Sequence, residues 1–437
     1  MTNRSLFAVP VVGGLCMFAL ILEGYDLLMY GTVVPSLLSY EPWDLDATQV
    51  GVLGSLSGVG MLIGALLAAV VTDRWGRRAS LLGAVTTFSV AMGVCAAAPS
   101  PEVFGIGRFF VGLGAGVLMP TAAAVLIEFS RPEKRARSVA LAFVGTSVGG
   151  ILAALLSLWL VPAFGFRAMF VAGIVPAVIF LPVMTRFLPE SPAFLVSRGE
   201  HEVAASIAAR FELQVAEPEP AGGATRNMGL RALFGPGRTR ATLLFWGMTL
   251  VCLLVLFGVA TWLPALMKSA GYPLGAALSF LLVLNIGGIV GGLGGGILAD
   301  RFGIKPVTTV LFLCAAASLM TVATTPPLAV IYLLVLLAGI GTTGTQIMLN
   351  AYIGSFYPAS TRATGLGLAL GVGRIGAIAG PTYGGVFIAL GAGTTVQLFA
   401  FAGPAVVGAI LTLLVPSRAY ASVAARNAGG KNAKYVA

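Results

Sequence analysis

Charged residues are scarce in this chain of 437 residues, in which Asp, Glu, Lys and Arg together make up 10%. A soluble protein carries roughly 25% of such residues and needs them to present a wetted surface. Histidine is almost absent, since His201 is the only one. The four cysteines form no C-x-x-C pair, which argues against a disulfide framework or a zinc site. No nucleophile–base pair or phosphate loop is recognisable, so we expect no catalytic residue, no metal and no cofactor.

Hydrophobic residues, by contrast, make up 58% of the chain. They fall into twelve apolar runs, each near or above the roughly 20 residues that a helix needs to cross a bilayer. The sequence therefore predicts an all-α integral membrane protein with twelve transmembrane helices, and we expect no cleavable signal peptide. The runs are 11–38, 48–72, 79–98, 103–129, 138–163, 167–188, 242–267, 275–299, 306–325, 327–353, 363–389 and 393–415.

The basic residues indicate the orientation of these spans. Of the 26 Lys and Arg residues, only Arg167 and Lys268 fall in the loops of one side, while Arg108 and Arg374 lie inside predicted spans. All others are on the opposite side, which is cytoplasmic by the positive-inside rule. Both termini are therefore predicted to be cytoplasmic in a multi-pass protein of a bacterial cell membrane. This pattern accounts for the net charge of +10 without a nucleic acid partner.

An internal repeat divides the chain. LAAVVTDRWGRR (67–78) resembles GGILADRFGIKP (295–306), and an offset of 227 residues also aligns Gly60 with Gly287 and Gly112 with Gly339. Two related six-helix halves are a transporter architecture. The expected domains are 1–188, a six-helix bundle; 189–241, a cytoplasmic linker; 242–416, a second six-helix bundle; and 417–437, a cytoplasmic tail. In the linker, PESPAFLVSRGEHEVAASIAARF could form an amphipathic helix.

Six segments carry a resemblance to a known family. DRWGRR (73–78), its degenerate copy DRFGIK (300–305) and PESPAFL (189–195) are similar to segments of the major facilitator superfamily. EGYD (23–26), WLPALMKSAGY (262–272) and the stretch 344–381 resemble, more narrowly, the aromatic acid:proton symporters of that superfamily. The resemblance implies the twelve-helix fold and import of an organic acid with protons. One departure is Glu23, where these symporters usually have Asp.

Two acids lie in the first span, where a charge costs at least ~2.5 kcal/mol. Glu23, Asp26 and Tyr30 are spaced three and four apart, so they share one helix face. Burial favours a neutral carboxyl group, whereas a neighbouring guanidinium favours the ionised one. An acid that alternates between these surroundings can carry a proton. Sugar:proton symporters with a similar segment pair this Asp with an Arg of span 4, which implies an Asp26–Arg108 pair here. Alternatively, that pair is a fixed structural one and Glu23 is a protonated bystander.

Candidate substrate-binding residues lie mainly in the second half. A guanidinium matches a carboxylate bidentately, so Arg374 could bind an acid substrate, unless it pairs with an acid of the protein. Gln346 and Asn350 share a polar stripe of span 10, and could bind substrate or join helices. Tyr30 and Trp262 are the best-placed aromatic side chains, although such residues are also common at membrane interfaces.

A cytoplasmic gate is predicted from the charged loops that repeat between the halves. Its role would be to latch helix ends and stabilise the outward-facing state, with topology alone as the alternative. Glu128, at the end of span 4, is interpreted as the partner of an Arg in 73–78. The segment GAIAGPTYGG (376–385) fits a drug-antiporter pattern, and we interpret it as structural. The gate residues are Asp73, Arg74, Arg77, Arg78, Glu128, Asp300, Arg301 and Arg362.

The sequence thus predicts a proton-coupled importer of a monocyclic aromatic carboxylate such as benzoate or a hydroxybenzoate. Its partners would be the acid anion, protons and the lipid bilayer, and we expect a monomer. Rival functions are a symporter for another organic acid such as shikimate or for a sugar, and a drug:proton antiporter. A sensor is disfavoured because the linker and the tail are too short for a signalling domain.

Overall fold

The computed structural model describes residues 5–130, 135–211, 233–234 and 238–416, and in this part of the chain every regular element is a helix. Twelve of the helices are long and two are short. The long helices are α1 Ser5–Leu37, α2 Ala47–Trp75, α3 Arg77–Ala97, α4 Pro101–Glu128, α5 Arg135–Phe164, α6 Arg167–Phe187, α9 Thr239–Ser269, α10 Leu274–Phe302, α11 Ile304–Val322, α12 Leu328–Phe356, α13 Ala359–Ala389 and α14 Thr394–Leu414. The short helices are α7 Pro192–Ser197 and α8 His201–Phe211.

The twelve predicted spans correspond one to one to the twelve long helices, which confirms the all-α membrane fold. Eleven of these helices are long and apolar enough to cross a bilayer. The exception among the described helices is α13, which has 31 residues but contains Arg374 and many glycines. Both lower its mean hydropathy without shortening it. The chain is therefore a multi-pass membrane protein.

Contacts divide the chain into two compact units. The first unit comprises Met1–Pro220 with Tyr272–Leu282, and the second comprises Ala221–Gly271 with Val283–Ala437. In the first unit α4 packs against α2 and α3, and α1 packs against α5. In the second unit α9 packs against α13 and α11 packs against α12 and α14. The domain bounds expected from the sequence stay a prediction.

The single amphipathic helix expected after span 6 is corrected by the structure to two helices, α7 and α8. Ser191 caps α7, since its hydroxyl accepts a hydrogen bond from the backbone N–H of Phe194. Gly199 then adopts a φ of +81°, a conformation that is strained for residues with a side chain. The glycine therefore ends the first helix and allows the second to start at His201.

Glycines bring the backbones of α2 and α4 into contact in the first unit. A Cβ atom on Gly60 would overlap the carbonyl oxygen of Phe109, and one on Gly112 would overlap that of Ser57. Small residues at such positions let membrane helices approach closely. This crossing brings α2 and α4 to the part of α1 that contains the two acids.

The same crossing recurs in the second unit. A Cβ atom on Gly287 would overlap the carbonyl oxygen of Leu336, and one on Gly339 would overlap that of Leu284. Each of these four residues lies 227 positions after its counterpart in the first unit. The repeat seen in the sequence is therefore a repeat of helix–helix contacts.

Candidate functional site

The two acids of α1 flank the residue at which this helix crosses α5. A Cβ atom on Gly24 would overlap the carbonyl oxygen of Thr146, so this glycine lets α5 approach the backbone of α1 between the two acids. Glu23 and Asp26 are 0% and 1% exposed. Both acids are thus enclosed by protein in the apolar part of the first unit.

Asp26 forms a buried ion pair with Arg108 of α4, through its Oδ1 atom and the Nη1 atom of the guanidinium. Arg108 is itself only 2% exposed. The pairing expected from the resemblance is therefore present in the structure, whereas a role in proton coupling stays a prediction. Because the pair is shielded from water, loss of either charge would leave the other charge unpaired in a medium that solvates it poorly.

Ser57 of α2 is a third member of this cluster, and the sequence did not indicate it. Its hydroxyl donates a hydrogen bond of 3.1 Å to Oδ2 of Asp26. The two carboxylate oxygens are thus held by different helices, one by α4 and one by α2. Ser57 occurs in the segment SLSG, and only its position opposite Gly112 distinguishes it from neighbouring serines.

Tyr30 belongs to the same cluster. Its ring lies below the guanidinium of Arg108, with 4.7 Å between Cζ and the ring centroid. Its hydroxyl donates a 2.5 Å hydrogen bond to the carbonyl oxygen of Val50 on α2. The side chain is 3% exposed, and its ring contacts the guanidinium. Its expected substrate contact stays a prediction.

The polar residues predicted to bind substrate in the second unit lie on α12 and α13, which pack against each other. Gln346 and Asn350 are half-buried on α12 and are joined by a 3.0 Å hydrogen bond from Nε2 of the first to Oδ1 of the second. Arg374 is half-buried on α13. The unit thus carries amides and a guanidinium on adjacent helices, which is a donor set suited to an anion.

Trp262 is placed differently from these residues. It is 0% exposed, and its indole N–H donates a 2.7 Å hydrogen bond to the carbonyl oxygen of Pro381. A Cβ atom on Gly384 would overlap the indole ring. The tryptophan therefore joins α9 to α13 in this structure, and its expected contact with substrate stays a prediction.

The segment GAIAGPTYGG packs α13 onto α9. A Cβ atom on Gly376 would overlap the carbonyl oxygen of Leu250, and one on Gly380 would lie 2.7 Å from that of Leu254. These contacts agree with the structural interpretation of the motif.

Charged residues cluster at the predicted cytoplasmic ends of α2, α3 and α4. Nε of Arg77 lies 3.1 Å from Oε1 of Glu128, as expected from the sequence, and its Nη1 lies 3.8 Å from Oδ1 of Asp73. Glu190, which was not among the predicted gate residues, caps α3. Its Oε1 accepts hydrogen bonds from the backbone N–H groups of Arg77 and Arg78 at 2.8 and 3.2 Å.

The remaining gate residues are placed as follows. The guanidinium of Arg78 donates to the carbonyl oxygen of Thr185 at the end of α6. The corresponding Lys305 donates to that of Val415, after α14, at 2.7 Å. The other four are exposed at helix ends, and their role in gating stays a prediction; they are Arg74, Asp300, Arg301 and Arg362.

Known proteins are similar to this chain over most of its length. The profile of the Major Facilitator Superfamily matches residues 16–381 and 295–434. A gentisate transporter of Corynebacterium glutamicum is 35% identical, over 90% of this chain and 84% of its own length. A benzoate transport protein of Acinetobacter baylyi is 33% identical, over 91% of this chain and 88% of its own.

A solved structure shares the fold. The crystal structure of a D-xylose-proton symporter aligns with a TM-score of 0.75, covering 93% of this chain and 98% of that one, at 17% identity. Such a low identity supports the fold alone. Together with the family profile and the relatives above 30% identity, it leads to one assignment: the chain belongs to the Major Facilitator Superfamily and is a membrane transporter, not an enzyme.

Proposed function

We propose that this transporter imports a monocyclic aromatic carboxylate, such as benzoate or a hydroxybenzoate, together with a proton by alternating access. The observation that carries the proposal is the buried pair of Asp26 and Arg108. Two relatives whose names specify gentisate and benzoate, both aromatic carboxylates, support the substrate class.

The pair supplies a proton-dependent contact between α1 and α4. An ionised Asp26 is attracted to the guanidinium of Arg108, and a neutral Asp26 is held much less strongly. Loading a proton therefore loosens the contact between the two helices, and releasing it restores the contact. Glu23, one turn away on the same helix, is a second candidate proton carrier.

The second unit supplies the anion-binding groups. Arg374 would bind the substrate carboxylate through two parallel N–H groups. Gln346 and Asn350 would bind a second polar group, such as a ring hydroxyl. A sugar carries no carboxylate and would not need Arg374, so this residue favours an acid over a sugar. An alicyclic acid such as shikimate remains the second candidate, and drug export has no supporting observation in the described residues.

Uptake of labelled benzoate and 4-hydroxybenzoate into proteoliposomes under an imposed pH gradient tests the proposal, with Asp26→Asn as the variant. We expect the gradient to drive uptake by the unmodified protein. The variant should lose this uptake and keep exchange of internal for external substrate, because exchange needs no net proton transfer.

Asp44→Asn is the matched control. Asp44 is exposed and has a φ of +42°, which Asn tolerates, so this variant should behave as the unmodified protein. Uptake by the unmodified protein that ignores the gradient would reject proton coupling. Uptake of shikimate in place of both aromatic acids would reject the substrate class and keep the coupling.

A further inference from the structure

Both oxygens of the Asp26 carboxylate are occupied, and their two partners differ in chemistry. Arg108 supplies a permanent cation to Oδ1, whereas Ser57 supplies a hydroxyl to Oδ2 at 3.1 Å. A guanidinium can only donate, so it requires an ionised or accepting carboxyl group. A hydroxyl donates as well as accepts. The two contacts must therefore respond differently when Asp26 binds a proton.

The position of Ser57 is fixed by backbone packing. Its carbonyl oxygen lies against Gly112, where any side chain would overlap it. Gly112 follows Arg108 by one helical turn on α4, so the same crossing directs both the guanidinium and the hydroxyl at Asp26. Ser57 is 5% exposed, and its hydroxyl is directed away from its own helix to α1.

We propose that Ser57 is a positioning residue that holds the Asp26 carboxyl group against α2 in both protonation states. When Asp26 is ionised, the hydroxyl of Ser57 donates to Oδ2. When Asp26 is neutral, its own O–H donates to the oxygen of Ser57, and the hydrogen bond persists with its direction reversed. The proton therefore releases α1 from α4 but not from α2. This inference rests on the proposed proton coupling at Asp26.

Other groups around Asp26 also bear on its proton. The titratable and charged ones are Glu23, Tyr25 and Tyr30 on α1, Cys95 on α3 and Arg108 on α4. On α5, residues 145–149 pack against α1 and contain no titratable side chain. On α6, the carbonyl oxygen of Met169 accepts a hydrogen bond from the hydroxyl of Tyr25. All of these groups stay constant when Ser57 alone is changed.

The test compares Ser57→Ala with Ser57→Thr in the pH dependence of gradient-driven uptake. Ser57→Ala removes a hydrogen bond from both forms of Asp26, and the bond to the ionised carboxylate is the stronger of the two, so the change favours the neutral form. We expect half-maximal uptake to move to higher pH by up to about one unit, the difference between a hydrogen bond to a charged group and one to a neutral group. Ser57→Thr keeps the hydroxyl and should restore the original pH dependence.

Ser89→Ala is the matched control, because the hydroxyl of Ser89 is also buried but donates to the carbonyl oxygen of Val85 on its own helix. It should leave the pH dependence unchanged. If Ser57→Ala does not reach the membrane, Ser57→Cys retains only a weak donor and should shift uptake in the same direction. An unshifted Ser57→Ala, or a Ser57→Thr that behaves like it, would overturn the proposal.

Infrared spectroscopy separates this proposal from the proposed function. The C=O band of the neutral Asp26 carboxyl group can be assigned by its loss in Asp26→Asn and titrated without any transport. In Ser57→Ala this band should move in frequency, because a hydrogen-bond partner of the neutral carboxyl group is gone, and Ser57→Thr should restore it. A band that Ser57→Ala does not move would reject the role of Ser57, even if gradient-driven uptake of an aromatic acid is established.

Discussion

At the scale of single residues, the first unit holds a cluster of four contacting polar side chains in an otherwise apolar region. Asp26, Arg108, Ser57 and Tyr30 come from three helices, and each contacts another member of the group. The ring of Tyr30 offers the guanidinium a favourable contact that does not depend on protonation of Asp26, since a desolvated cation–π contact contributes about 2 kcal/mol. The cation can thus remain in place when the carboxyl group becomes neutral.

The second unit allows a prediction for one residue, Arg374. Arg374→Lys retains the charge but loses the planar pair of N–H groups. We expect the KM for the aromatic acid to rise about tenfold, the value of roughly one charge-assisted hydrogen bond, with a smaller change in maximal rate. Initial uptake rates over a range of substrate concentrations measure both quantities.

Arg240→Lys provides the comparison for this experiment, because Arg240 is exposed at the start of α9. Its KM should equal that of the unmodified protein. If Arg374→Lys also left the KM unchanged, the carboxylate would have to bind elsewhere in the protein.

One physical reason explains why the contacts of Ser57 and Trp262 could not be predicted from the sequence. Arg108 and Arg374 are the two basic residues inside predicted spans, and the resemblance to sugar:proton symporters selected Arg108 as the partner of Asp26. A hydroxyl group has many possible hydrogen-bond partners, because a serine in a helix can also donate to a carbonyl oxygen of its own helix, as Ser89 does. Likewise, Trp262 could equally have faced a ligand, and only the packing of α13 shows that its N–H reaches Pro381.

The bounds of the helices were predicted more accurately than the contacts between them, because a membrane span is recognised from one continuous apolar run in the sequence. The bounds of α6, for example, were expected at 167–188 and are Arg167–Phe187. Close contacts between helices depend on glycines, and only the structure shows which glycines lie against a neighbouring backbone. Gly112 allows a backbone contact, whereas a Cβ atom on Gly83 of α3 would have no neighbouring atom within 4 Å.

The contrast between these glycines gives a prediction for the α2–α4 crossing. Gly112→Ala forces a methyl group against the backbone of Ser57, and overpacking of this kind destabilises proteins by about 1–3 kcal/mol. Gly339→Ala should have a similar effect at the corresponding crossing of the second unit. Thermal unfolding of the purified protein in detergent measures the change.

Gly83→Ala serves as the reference variant, and it should be neutral or slightly stabilising because alanine favours helices over glycine by up to about 1 kcal/mol. If Gly112→Ala unfolded at the same temperature as Gly83→Ala, the backbone contact would not contribute to the stability of the fold.

At the scale of the whole molecule, the two units repeat their packing but not their chemistry. Gly60 and Gly112 have counterparts with equivalent contacts. Asp26 and Arg108 belong only to the first unit, and Arg374 belongs only to the second. A duplicated framework with different polar residues in each copy would let one unit respond to protons and the other to an anion.

One repeated turn permits a test of this framework. Gly76 and Gly303, 227 residues apart, join α2 to α3 and α10 to α11 with φ values of +86° and +89°. Alanine at either position strains the backbone by about 1–3 kcal/mol. At Gly76 its methyl group would also overlap the carboxylate of Glu190, whereas at Gly303 the nearest atom is 3.8 Å away, in Pro306.

We therefore expect Gly76→Ala to lower the unfolding temperature more than Gly303→Ala, although the two turns have nearly the same backbone. The excess should shrink in a Gly76→Ala, Glu190→Ala double variant when it is compared with Glu190→Ala alone, because the overlapping carboxylate is gone and only Phe194 Cε1, 2.9 Å from the added methyl group, still has to shift. Equal losses at the two glycines would mean that Glu190 moves aside at little cost. The contact of Glu190 with the start of α3 would then not make the turn at Gly76 more sensitive to substitution than the turn at Gly303.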